Sequence, residues 1–314
     1  MGSMFEIMKQ VREENGPPPE PGAVEGIVEP MPDEVAASPT PPNENPSSCA
    51  ETPPDAGSDP SRFAAVEFPA ASNGTSNPDT QEWDPKLIDP AVVAFHARYS
   101  VECEQFRSVR ARLLSMNSAA NPCVLAVTSS LPAEGKSACT LNLGLVMAEG
   151  GEQRTLIVDA DLRRASITRM LGLTGRAGLS DLIRGPGSVR ELLCPTPLPN
   201  LKTLPAGARS ETGPCDLFGS GNLRQVFDEL RHAFDYVFVD MPPVNTVSDA
   251  SILAPLCDAA LLVLQMRRTP EPVAQQAVRT LQANNVRVIG SIITRHTEHP
   301  AHAYANTDYY YGRP

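Results

Sequence analysis

Residues 123–148 read CVLAVTSSLPAEGKSACTLNLGLVMA, and the rest of the chain is arranged around them. Residues 124–128 are a continuous apolar run of strand length, and a helical stretch opens near Lys136. Between them the loop ends Ala133-Glu134-Gly135-Lys136-Ser137-Ala138, the pattern of a loop that cradles phosphates. The chemistry follows from geometry. Glycine lets backbone N–H groups curl around phosphate oxygens, and the N-terminus of the following helix adds positive potential. Lys136 is placed to reach the β- and γ-phosphates, and the Ser137 hydroxyl to ligate Mg²⁺. The first small position of the motif holds Ser130 instead of glycine. A nucleotide site is expected here, with residues 133–138 as its cradle.

Downstream, residues 155–159 (TLIVD) form a second apolar strand that runs into Ala160-Asp161-Leu162-Arg163. Strand alternation puts Asp159 and Asp161 on one side at the carboxyl end, where parallel α/β sheets bind ligands. Residues 236–240 (YVFVD) form a third core strand, stopped by Pro242-Pro243, so Asp240 ends a strand above the loop. An acid there suits the water shell of Mg²⁺. A short strand at 200–205, a fourth core strand at 259–264 and a fifth at 286–293 alternate with helices at 220–232, 248–256 and 271–284. This alternation predicts an α/β fold, a doubly wound and mostly parallel sheet flanked by helices. Ahead of the sheet, residues 97–117 read as a long helix with Phe106, Val109, Leu113 and Met116 on one face. Glu104, Arg107 and Arg110 share another face, which by spacing alone is a solvated surface carrying an intrahelical ion pair.

Composition divides the chain of 314 residues. Residues 1–90 hold 17 of the 32 prolines and 17 acidic against 4 basic residues, a balance of −13. The other 224 residues carry 20 acidic and 22 basic groups, so the formal −11 belongs to the leader. A near-neutral folded part argues against a broad nucleic-acid-binding surface. Residues 4–14 have helical apolar spacing, and 16–89 are too poor in apolar groups to offset their ordering entropy, so disorder is expected there. The division expected is a leader at 1–90, a folded domain at 91–296 and a flexible tail at 297–314. Seven cysteines show no CxxC spacing, which favours buried free thiols in a reducing compartment. No apolar run nears the ~20 residues of a membrane span, and no signal-peptide pattern opens the chain. A cytoplasmic protein is expected.

The tail is unusual. Four of six tyrosines, Tyr304, Tyr309, Tyr310 and Tyr311, fall in the last eleven residues without apolar neighbours. Exposed phenols beside an ATP–Mg²⁺ site point to phosphoryl transfer onto them, with Asp159 or Asp161 accepting the phenolic proton. Sixteen residues from Ile293 to Tyr309 reach up to roughly 50 Å when extended, enough for the chain's own site or a neighbour's.

From about Arg98 to its end the chain resembles the bacterial tyrosine kinases called BY-kinases, the autokinases of capsule and exopolysaccharide synthesis. The residues carrying the resemblance are SSLPAEGKS (129–137), LIVDADLRR (156–164) and YVFVDMPPV (236–244), with LPAG (204–207), SDA (248–250) and the tyrosine cluster in support. It implies a P-loop NTPase-like domain. Lys136 and Ser137 would hold phosphates and metal, Asp159 and Asp161 would serve metal and base roles, and Asp240 would hold the metal's water shell. It also implies that Glu104, Arg107 and Arg110, as the ExxRxxR helix, make subunit contacts in a ring that offers each tail to the next subunit. Its partners would be a separate inner-membrane polysaccharide co-polymerase as activator, which would hold the protein peripherally at the membrane, and a cognate tyrosine phosphatase. Two positions depart from the family pattern: Gly290-Ser-Ile-Ile-Thr294 replaces GxxxN, and Gly213-Pro214 replaces Asn-Pro. A ParA/MinD-like ATPase is the main alternative, but 129–134 lacks the signature lysine of that group. A nucleotide-binding scaffold for the co-polymerase is another. Finally, each phosphotyrosine adds about −1.5 to −2 charge, so modification is expected to weaken tail docking beside Asp159, Asp161 and Asp240.

Overall fold

The computed structural model describes residues 83–295, apart from 186, 210–212, 220 and 221. The tyrosine cluster, the 4–14 stretch and the leader as far as residue 82 therefore lie outside the described residues. Seven strands form one sheet: β1 (Cys123–Ser129), β2 (Thr155–Asp159), β3 (Cys194–Pro195), β4 (Leu201–Leu204), β5 (Tyr236–Asp240), β6 (Ala259–Gln265) and β7 (Val288–Thr294). Their order is β3-β4-β2-β5-β1-β6-β7, with every pairing parallel except the antiparallel edge pair β3·β4. The expected doubly wound α/β sheet is present, with two-residue β3 as an addition at its edge.

Strand alternation builds the two core layers. Val124, Ala126, Leu156, Val158, Val237 and Val239 face one side, which the helices Leu179–Arg184, Asn222–Ala233 and Glu271–Ala283 help to cover. Leu125, Val127, Phe238 and Ile157 face the other, under the helices Lys136–Ala148 and Val101–Met116. The helix Lys136–Ala148 is buried almost all round, from Lys136 to Ala148. Its approach to β2 needs Gly144, since a Cβ there would collide with the Ile157 side chain.

Two expectations need correction. Disorder through residue 89 does not hold, because Trp83 and Ile88 are buried with Val92 against Leu141, Leu145, Ile167 and Leu171. Trp83 packs on Phe95 at 5.5 Å between ring centroids. The expected domain boundary at residue 90 therefore cuts through a packed segment. Within the helix Val101–Met116, Leu113 is buried and Phe106 and Val109 pack on the core, but Met116 is 53% exposed. Met116 is the last residue of the helix, and the C-cap Asn117 donates from Nδ2 to the Tyr236 hydroxyl of β5 at 3.1 Å. Six described cysteines, four of them buried, are free thiols.

Candidate active site

The P-loop leaves β1 and is shaped by left-handed backbone at Ala133 (φ 64°) and Gly135 (φ 95°). Alternating hand turns successive N–H groups toward one centre, and the helix Lys136–Ala148 begins at that point. The loop is braced from outside. Glu134 is buried; its Oε2 accepts from Leu131 N at 2.8 Å, and its Oε1 accepts from the Thr269 hydroxyl. Arg268 Nη1 donates to Ala133 O at 3.1 Å, and Thr294 Oγ1 donates to Glu134 O at 2.7 Å. Glu134, expected in the phosphate cradle, thus spends its side chain on the loop itself. Thr294, the residue that departs from the GxxxN pattern the resemblance implies, closes on the same loop, and its methyl group would lie 3.3 Å from a Cβ at position 135.

Beneath the loop the strand ends bring their acids together. β2 and β5 run in register, so Asp159 and Asp240 are direct neighbours. Lys136 Nζ lies 2.9 Å from Asp161 Oδ2 and 3.3 Å from Asp240 Oδ1. Ser137 Oγ donates to Asp240 Oδ2 at 2.6 Å. Asp159 is turned elsewhere: its Oδ2 accepts from Thr168 N at 2.8 Å and Thr168 Oγ1 at 2.7 Å, while its Oδ1 is buried without a partner among the described residues. Lys136, Ser137, Asp161 and Asp240 therefore meet directly, and Asp159 stands beside them facing Thr168.

Electrostatics follow from three buried carboxylates around one ammonium. Burial, with Asp240 next to it, pushes Asp159 up to about 7 despite the Thr168 hydrogen bonds. For Lys136 burial alone would lower the pKa, but Asp240 and Asp161 outweigh it and keep the lysine charged. Among the described residues no three ligating side chains converge as a ready-made metal cage. Mg²⁺ takes one or two carboxylates and completes its shell with water and phosphate. The free Asp159 Oδ1 and the Ser137 hydroxyl are the groups that fit it.

Several residues at the site were not legible as functional. Thr168 Oγ1 accepts from Ala206 N at 2.9 Å while donating to Asp159, which ties the LPAG stretch to the acid. Arg163 pairs with buried Asp249 through bonds of 2.6 and 2.9 Å, joining LIVDADLRR to SDA. Asn142 accepts from Ala94 N at 2.8 Å and donates to Ala91 O at 2.9 Å, pinning the 83–96 segment to the P-loop helix. A cleft of about 650 Å³ is lined by Pro132, Ala133 and residues 135–138 of the P-loop together with Lys86, Asp89, Arg164 and Arg169. Away from it, Arg107 pairs with Glu104 and bidentately with Glu149 at 2.8 Å, and Arg110 Nε is buried without a hydrogen-bond partner among the described residues. The ion pair expected from spacing exists, extended by a partner 42 positions away. Among the described residues no helix is long and apolar enough to cross a membrane.

The family model described as ParA, NUBPL iron-transfer P-loop NTPase, matches residues 122–296, which contain the whole sheet. Tyrosine-protein kinase CpsD of Streptococcus agalactiae is 30% identical over 176 residues, 56% of this chain and 75% of that protein. The succinoglycan biosynthesis transport protein ExoP of Rhizobium meliloti is 30% identical over 218 residues, 69% of this chain but 28% of its own length. Among solved structures, the BceF tyrosine kinase domain aligns with a TM-score of 0.57 at 28% identity, covering 69% of this chain and 83% of that one. With a P-loop, two acidic strand ends and relatives of this kind, the chain belongs to the bacterial tyrosine kinases, the BY-kinase family of P-loop NTPases.

Proposed function

We propose that the protein is an ATP- and Mg²⁺-dependent protein-tyrosine autokinase that regulates capsule or exopolysaccharide polymerisation and export. Its targets are its own Tyr304, Tyr309, Tyr310 and Tyr311, modified in trans within a ring of subunits. The observation that carries this reading is Lys136 held between Asp161 and Asp240, with Ser137 on the same aspartate, at the mouth of a left-handed P-loop. In the loaded site Lys136 turns to the β- and γ-phosphates, and the N–H groups of residues 133–138 cradle them. The tyrosine oxygen forms a bond to the γ-phosphorus as the bond to the ADP oxygen breaks, and Asp161 accepts the phenolic proton. Ser137, Asp240 and the free Asp159 Oδ1 would hold Mg²⁺, which when bound would supply neutralisation of phosphate charge. Thr168 holds Asp159 by its other oxygen and leaves Oδ1 open.

The partners follow from the same reading. ExoP carries a region like this chain within a much longer transport protein, which supports a polysaccharide co-polymerase of the inner membrane as the activator here. The protein then works peripherally at the inner membrane through that partner, and a cognate tyrosine phosphatase resets the tail. Glu104, Arg107 and Arg110 contribute to the ring contact.

The test is incubation with Mg-ATP followed by phosphotyrosine detection, wild type beside Lys136→Met. Phosphotyrosine in the wild type alone is expected. ATP hydrolysis without phosphotyrosine, with the activator's cytoplasmic segment added, would replace this reading by a ParA-type ATPase. Mixing Lys136→Met with a tail-deleted active protein then separates transfer within a chain from transfer between chains.

A further inference from the structure

We propose that Thr294 is a positioning residue for the nucleotide: its hydroxyl sets the direction of the Gly135 amide, so that an N–H and not a carbonyl faces the phosphates. The inference rests on the P-loop holding a nucleotide, as the kinase reading requires, and adds a residue outside the loop that governs how tightly. Thr294 Oγ1 donates to Glu134 O at 2.7 Å and lies 3.3 Å from Leu264 O. In a trans peptide the N–H opposes the C=O. A Glu134 carbonyl held on the β7 side therefore turns the Gly135 N–H to the opposite side, where Gly135, Lys136 and Ser137 line the cleft. That N–H has no hydrogen-bond partner among the described residues. It is the kind of donor a phosphate oxygen accepts from.

The loop needs such a hold because of its own backbone. Gly135 has φ 95° and no Cβ, so the peptide joining it to Glu134 can turn over at little cost. Turned over, it would present the Glu134 carbonyl to the phosphates, an acceptor facing acceptors. Thr294 opposes this from a fixed platform. It pairs with Gln265 at the parallel ends of β6 and β7, and Met266 N donates to Thr294 O at 3.0 Å. The peptide before is held from the same platform, since Arg268 Nη1 donates to Ala133 O and to Gln265 Oε1, both at 3.1 Å. The Glu134 side chain is tied to Leu131 N and to the Thr269 hydroxyl. Of these contacts, the Thr294 bond is the one made to the peptide that carries the Gly135 N–H.

Nucleotide affinity is then scaled by the fraction of molecules whose Gly135 N–H faces the cleft. Losing the Thr294 donor lowers that fraction. Because the phosphates are held alike before and during transfer, the loss falls on binding and spares the chemical step. A Thr294 that only supported the sheet would show its loss in stability, with nucleotide affinity unchanged.

The experiment measures binding without turnover. The full chain is titrated by calorimetry with Mg-ADP and, separately, with magnesium pyrophosphate, wild type beside Thr294→Val and Thr294→Ser. Valine keeps the shape of the side chain and removes the donor; serine keeps the donor. Thr294→Val should bind both ligands roughly three- to tenfold more weakly, the worth of one hydrogen bond, and Thr294→Ser should stay within about twofold of the wild type. In the phosphotyrosine assay the valine variant should raise KM for ATP by a similar factor and keep kcat. Unchanged affinity for Mg-ADP overturns the proposal. So does a loss for Mg-ADP that pyrophosphate does not share, which would assign Thr294 to the base or the sugar. Should the valine variant show no folded baseline in urea, Thr294→Ala, which sets no methyl group against the Leu264 carbonyl, is measured under the same outcomes. Weakened binding of both ligands in a protein that makes no phosphotyrosine from Mg-ATP would remove the kinase reading and leave Thr294 in its role.

Discussion

Thr168 holds Asp159 by both its N–H and its hydroxyl, at 2.8 and 2.7 Å, so the acid that ends β2 is aimed by a helix nine residues downstream. The same hydroxyl accepts from Ala206 N. Thr168→Val removes the donor to a buried carboxylate and the acceptor of a buried N–H in one change. A stability loss of about 1–3 kcal/mol is expected by urea titration, with Thr168→Ser recovering most of it. Kinase activity should fall more steeply at limiting Mg²⁺ than at saturating Mg²⁺, because a loosened Asp159 is no longer held ready.

Asp159 also sets a pH dependence. Its folded pKa of about 7 lies above the ordinary carboxylate value, owing to burial and to Asp240. A raised folded pKa means that the native state binds the extra proton. Its stabilising contribution is complete below about pH 4 and is lost as pH rises through 7, at up to ~1.4 kcal/mol per unit. Asp159→Asn keeps the shape without the charge. The urea midpoint of this variant should therefore exceed that of the nucleotide-free wild type at pH 8, and the two should converge near pH 4. Convergence at every pH would show that Asp159 is not carrying the surplus charge.

Lys136 has a structural duty besides its proposed chemistry. Replacing it by methionine leaves Asp161 and Asp240 buried without their cation, and breaking such a pair costs about 3–5 kcal/mol. The loss should shrink as pH is lowered, since burial pushes the Asp240 carboxyl up and a protonated Asp240 no longer needs the ammonium. Thermal unfolding of Lys136→Met across pH 5 to 8 measures this. It also checks that a silent variant in the kinase assay is folded.

Most of the sheet was legible because its central strands are apolar runs buried on both faces, two of which, β2 and β5, end in acids. β3 was not, because two residues ending in proline carry no period. The acids of the site were visible at strand ends, yet their orientation was not. That Asp159 turns to Thr168, and Lys136 to Asp161 and Asp240, depends on side chains fixed by tertiary packing. Long-range pairs such as Arg163–Asp249, 86 positions apart, leave no local spacing to read. The Glu104–Arg107 pair did leave one, whereas Glu149 did not.

The leader's edge was misread for a related reason, and it supplies the last test. Averaged over residues 16–89 the composition is that of a disordered segment, and this average hides one tryptophan and one isoleucine that find a groove. Trp83 is 7% exposed and packs on Phe95, while Asn142 ties the following turn to the P-loop helix. Trp83→Ala should cost about 3–5 kcal/mol, the usual range for emptying an aromatic site. A chain starting at residue 91 should lose at least as much, because Ile88 goes with it. If limited proteolysis cut as fast between 83 and 96 in the wild type as in Trp83→Ala, the packed segment would have no role in holding the P-loop helix. Slow cleavage in the wild type and rapid cleavage in the variant is the expected result, with Lys86 removed from the cleft lining in the same event.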